Sequence, residues 1–153
     1  MRISESVVEY LLTTWPVARL VTLNADGSPH QIPIVFTWHD GRFWSPIDGK
    51  PKQKVQLTRV RNAMANPMAS LLMDKYDDDW TQLWWIRADL EITVVRLRET
   101  DPETEKIAWQ AKRKLERKYQ QYGSMSVLRE PATILSMRPT AFTSWSAAEV
   151  KIQ

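Results

Sequence analysis

The 153-residue sequence contains no cysteine, only four glycines and only two histidines. Without cysteine there are no disulfides and no thiolate metal sites, so nothing in the chain marks a redox compartment. Four glycines leave no glycine-rich loop to cradle a nucleotide phosphate. The two histidines, His30 and His39, stand at no ligand spacing with each other or with carboxylates, so no metal site is expected. No apolar run approaches the roughly 18 residues a membrane span needs, which excludes a spanning helix. The opening MRISESVVEYLL lacks a basic segment followed by an apolar core, so no signal peptide is expected and the expected address is cytoplasmic. No Ser/His/Asp arrangement is visible either. Catalysis by this chain would have to rest on a cofactor, and no catalytic residue can be assigned.

What is present is a globular composition, 43% hydrophobic and 25% charged, with enough length for one domain over residues 1–153. Eight tryptophans stand out; indoles supply flat surface with a polar N–H for cores, interfaces and stacking sites alike. The net charge is only +3, yet DGKPKQKVQLTRVRN, residues 48–62, holds Lys50, Lys52, Lys54, Arg59 and Arg61. No acid follows Asp48 until Asp74. A phosphate needs several donors converging from a loop or helix start, and Arg can grip two oxygens at once. A solvated basic loop and helix face explains the same spacing, and the two readings stand open at this level. Nucleic acid is a poorer fit, because no aromatic residues interleave with these cations.

Hydrophobic periodicity organises the rest. Ser4 to Thr14 reads as a short helix with Ser4 as N-cap, ended by Pro16. VARLVTLN and PHQIPIVFTW read as two strands about the turn ADGS. Pro29 and Pro33 lack donors, which places the second strand at an edge or a bulge. HDGR carries the Asp-Gly pair of a tight hairpin, with RFWSPI as the next strand. Leu57, Val60 and Met64 fall on one helical stripe, and Asn66-Pro67 stops that helix. MASLLMDKY and the long LWWIRADLEITVVRL are strands. TDPE opens a third helix with Thr100 and Glu103 as a capping box, Pro102 in the first turn and Gly123 at the far end. The lysines and arginines in the second half of that helix suit its dipole. TILSMRPTAFTSW is the last strand. Asp77, Asp78 and Asp79 lack the alternate spacing and glycine of a calcium loop and read as a solvated turn. Trp84 and Trp85, adjacent on a strand, must face opposite sides, one into the core and one towards a partner subunit or a flat ligand. The element order is helix, three strands, helix, two strands, helix, strand. It predicts a mainly β, α+β domain, a small antiparallel barrel of six strands with three flanking helices. Side chains fill such a barrel, so a large ring would bind on its outer wall or at a subunit boundary.

ARLVTLNADGSPHQIPIVF, followed by DGKPKQKVQLTRVRNAMANPMASLLMDKYDDDWTQLWWIRADLEI, resembles the pyridoxamine-phosphate-oxidase-like flavin-binding split barrels. Within them it is most similar to the branch dependent on the deazaflavin coenzyme F420. The likeness runs from about Val17 to Leu97 and resumes at RPTAFTSW. It implies a homodimer of six-stranded split barrels, with cofactor, F420 or FMN, bound at the subunit interface. Carried onto this sequence, it places Arg59 on the cofactor phosphate, assisted by Arg61, Lys50 and Lys52. It sets Pro33, Ile34 and Val35 along the ring, and Ser45 and Pro46 at the phosphate border. Trp85, with Trp84 beside it, would reach the site from the other subunit. The activity implied is hydride transfer to a small, conjugated acceptor. An FMN-binding flavoprotein of the same fold and a non-enzymatic flavin- or haem-binding protein are the alternatives. The C-terminal substrate segment of the true pyridoxamine-phosphate oxidases is missing after Trp145, so that oxidation is not expected.

Overall fold

A computed structural model describes residues 1–48 and 57–152. Helix α1 spans Glu5–Thr14, and strands β1, Ala18–Leu23, and β2, Pro29–Ile34, form a hairpin. Strands β3, Thr37–His39, and β4, Arg42–Pro46, form a second one. Helix α2, Thr58–Ala65, leads to β5, Met68–Lys75, and β6, Trp84–Arg96. Helix α3, Pro102–Lys118, precedes the long last strand β7, Thr133–Ser146. All strand pairs are antiparallel, in the order β2-β1-β5-β6-β7-β4-β3.

The strand count is seven rather than six, because the expected strand 29–38 is two strands. Its first half pairs with β1 at one edge of the sheet, and its second half pairs with β4 at the other. Only Val35 and Phe36 lie between them. Three chain steps reach at most about 11 Å, so the sheet must curl until its edges nearly meet. That curl is what makes a split barrel of an open sheet. Asp40 and Gly41, both at positive φ, turn the β3–β4 hairpin as the Asp-Gly pair predicts. Pro29 and Pro33 do lie on an edge strand.

Two cores result. Leu20, Phe36, Phe43, Leu71, Met73, Ile86 and Met137 fill the barrel, each fully buried. Trp44, Val95, Ala108, Ala111, Leu115 and Ile134 form a second core under α3. Strand β6 serves both: its alternate residues from Trp84 to Val94 face the barrel core, while Val95, with Leu97 just beyond the strand, joins the second core. A register shift against β7 at Asp89/Leu90 bends the pair.

Three local expectations are corrected. The N-cap of α3 is Asp101, whose carboxylate accepts from the Thr104 N–H at 2.9 Å; Thr100 lies one residue outside. Glu105, not Glu103, reaches back, accepting from the Arg98 N–H at 3.1 Å. Met64 is 58% exposed; α2 buries Val60, Asn62 and Ala63 instead. Asn62 is the surprise, a polar side chain 4% exposed whose Nδ2 donates to Thr22 Oγ1 at 3.1 Å and Asn24 Oδ1 at 3.0 Å. Ser4 occupies the N-cap position of α1 but makes no capping hydrogen bond. No helix among the described residues is long and apolar enough to cross a membrane.

Candidate functional site

Arg59 lies in the first turn of α2. Packing of Val60 and Ala63 against the barrel turns its side chain inward, and it is half-buried. Its Nε is screened from solvent and has no hydrogen-bond partner among the described residues. None of the ion pairs among the described residues includes it. Burial lowers its pKa, an effect partly offset by the negative charge of Asp48. A desolvated guanidinium without a counter-ion in contact is costly, and such groups in folded proteins normally face an anion.

Around it stand two residues that sequence reasoning missed. Tyr122 Oη donates to Asp48 Oδ2 at 3.2 Å, across 74 residues of chain. Burial, then the Asp48 charge, pushes the Tyr122 phenol up, so it stays protonated and acts as donor. Among the described residues the patch is therefore one half-buried cation beside one hydrogen-bonded carboxylate. Tyr122 sits in a short turn, Gln120–Gly123, and its ring lies 6.1 Å from that of Tyr119. The only sequence signal for the pair was two tyrosines three residues apart at a helix end.

The other expected residues fall variously. Arg61 is exposed, two positions and about 200° around the helix from Arg59, so the two do not converge. Lys50 and Lys52 lie outside the described residues. Pro33 is exposed, Ile34 buried and Val35 half-buried along the edge strand β2. Among the described residues no strand pairs with the outer edge of β2, and the Val35 carbonyl just beyond it accepts from Ser45. Ser45 and Pro46 are buried on β4. The Ser45 hydroxyl donates to the Val35 carbonyl at 2.8 Å, so it ties the barrel rather than facing outward. Trp84 enters the barrel core, its ring meeting that of Trp15 edge-on at 4.6 Å. Trp85 is the one on the outer face, directly across from the exposed Trp145 of β7.

No protein-family model matches the chain, and no curated protein matches it. Solved structures do. A conserved hypothetical protein from Mycobacterium tuberculosis superposes with a TM-score of 0.71 at 15% identity, over 99% of this chain and 92% of its own. An FAD-binding protein from Mesorhizobium loti gives 0.68 at 14%, over 94% and 93%. The haem storage protein HutZ from Vibrio cholerae gives 0.65 at 16%, over 95% of each chain. An F420 reductase shares the architecture at 0.57 and 19%, over 88% and 94%. At such identities the likeness establishes fold alone. The chain has the fold of the pyridoxamine-phosphate-oxidase-like split barrels that its sequence resembles.

Proposed function

We propose that the protein is a dimeric oxidoreductase that binds a phosphorylated flavin-type cofactor, FMN or the deazaflavin F420. The observation that carries this reading is the buried, unpartnered Nε of Arg59. A phosphate oxygen is the acceptor that such a donor lacks, and the charge-assisted bond would offset the desolvation of the guanidinium. Arg59 would hold the phosphate, and Pro33, Ile34 and Val35 would form the wall beside the ring. Trp85 of the second protomer would cover it, since an indole stacks well on a flat ring. When bound, the cofactor supplies hydride transfer, and the protein supplies binding, orientation and exclusion of water. A small conjugated acceptor would fit the open face. An FAD-binding protein, a haem storage protein and an F420 reductase all have this fold. For haem the histidines are the residues to weigh: His39 Nε2 is engaged with Gln110 at 2.9 Å, whereas His30 Nδ1, like Arg59 Nε, is buried with no hydrogen-bond partner among the described residues.

Titration of the purified protein with FMN and with F420, followed by ring fluorescence, tests the proposal. Arg59→Ala should weaken the bound cofactor by about 10- to 100-fold, the range for losing a hydrogen-bonded charge. Absence of binding by either cofactor, or indifference to the substitution, would overturn the reading.

A further inference from the structure

The two residues joining β2 to β3 are held by side chains from three directions. Ser45 Oγ, from β4, donates to the Val35 carbonyl at 2.8 Å. Tyr119 Oη, at the C-terminal end of α3, accepts the Phe36 N–H at 3.1 Å. The same oxygen lies 2.9 Å from the Phe36 carbonyl and 2.8 Å from the Pro16 carbonyl. A phenol has one proton and cannot donate fully to both. Lys118 resolves the competition: its Nζ donates to the Phe36 carbonyl at 3.0 Å and sits 4.0 Å from the Phe36 ring centroid. Tyr119 is thereby free to donate to Pro16, two residues ahead of Ala18, the β1 residue paired with Ile34. The crossing is thus triangulated against β4, α3 and the entry to β1. Phe36 itself is fully buried.

We infer that Ser45, Lys118 and Tyr119 are positioning residues for the cofactor ring, because they fix the crossing at Val35–Phe36 and, through it, the wall formed by Pro33–Val35. This inference rests on the proposed cofactor site. A wall on this edge strand has no strand neighbour among the described residues on its outer side to hold it. Its geometry is set from its anchored ends, and a loosened anchor means that ligand must select one arrangement among several. None of the three residues needs to touch the ring for this.

The test separates ring from phosphate. Riboflavin carries the ring of FMN without its phosphate, and the dephosphorylated chromophore of F420 plays the same part for the deazaflavin. Each pair is titrated against wild type, Arg59→Ala, Tyr119→Phe and Ser45→Ala. Removal of a hydrogen-bonding hydroxyl at the crossing should weaken ring-only and phosphorylated ligands by the same factor, about 5- to 20-fold. Arg59→Ala should weaken only the phosphorylated ones. Lys118→Arg, which keeps a donor over the Phe36 carbonyl, should retain affinity that Lys118→Met loses. Protection of the Phe36 amide from hydrogen exchange should fall in Tyr119→Phe while the barrel strands stay protected. Wild-type affinity for riboflavin in Tyr119→Phe and Ser45→Ala, with Arg59→Ala still impaired towards FMN, overturns the positioning role and spares the cofactor reading. Failure of the wild type to bind any of the four ligands overturns both.

Discussion

Arg59 and Asp48 illustrate how one residue sets the terms for another. A carboxylate near a phosphate clamp offsets part of the guanidinium's charge in the free protein and repels the ligand in the complex. Asp48→Asn should therefore tighten binding of a phosphorylated cofactor severalfold, by about 0.5–1 kcal/mol for a partly screened like-charge contact. Its affinity for a phosphate-free ring should not change. Equal Kd values for FMN in the two proteins would show that Asp48 plays no part in recognition. Of this cluster only Arg59 was singled out from the sequence, and by the family resemblance, since the local run of basic residues fits a solvated helix face equally well. Tyr122 and Asp48 meet across 74 residues. No spacing announces a contact that exists only because α3 folds back over the second core. Ser45, which the resemblance sets at the phosphate border, has its hydroxyl committed to the barrel.

Among the elements, α3 has the least expected role. Its basic second half reads as dipole compensation, yet Lys114 donates to the Trp38 carbonyl at 3.3 Å and Lys118 to that of Phe36. Gln110 meets His39 one turn earlier. Three residues at four-residue spacing thus cover the open side of β3, an edge that would otherwise invite pairing with another chain. The cover carries a pH signature. Burial lowers Lys118 to about 8 from an ordinary 10.5, so the unfolded chain binds more protons between those values. Stability should accordingly rise as pH goes from about 8 to 10.5. Tyr119, raised to about 12 by burial, contributes the reverse: stability present below 10 and lost as pH rises through 12. Urea unfolding at pH 7.5, 8.5 and 9.5 should show the rise in wild type and a flat profile in Lys118→Met; a parallel rise in both would sink the assignment. Helix α2 depends on Asn62. Asn62→Ala strands Thr22 and Asn24 without their donor and should cost about 1–3 kcal/mol in the same assay, with an effect below 0.5 kcal/mol counting against the anchor. Sequence periodicity found these elements because each buries a stripe or an alternate row. It misjudged details that tertiary contacts decide: Asn62 is buried in the place expected of Met64, and Asp101 caps in the place expected of Thr100.

At the scale of the molecule, the outer face of β1, β5, β6 and β7 is the exposed wall. Cross-strand register puts Asp74, Trp85 and Trp145 in one row, and Arg19, Leu72, Arg87 and Thr143 in the next. Beside them a groove of about 580 Å³ is lined by Val21, Leu23, Met68 and Leu90, with Asp89 and Glu91 at its side. An aromatic pair on such a face is the expected centre of a subunit contact. Trp85→Glu should convert a dimer at micromolar concentration to a monomer in sedimentation velocity, with loss of cofactor affinity. A wild-type protein that already sediments as a monomer would dismiss both the dimer and the role of Trp85. The barrel was legible in the sequence, but the place where the chain crosses from one edge of it to the other was not. Nothing in PHQIPIVFTW tells a reader that Ile34 and Thr37 belong to opposite edges of one sheet. That two-residue step has a bearing on how this chain can change. A loop such as Asn24–Ser28 can lengthen at little entropic cost, because its ends already lie side by side. Between Ile34 and Thr37 the length itself is structural. One residue more would turn Thr37–His39 over, sending Trp38 outward and Thr37 and His39 the other way, and one residue fewer would leave the edges too far apart to join. The crossing works as a ruler for the barrel's girth, a place where substitutions are tolerable and insertions are not.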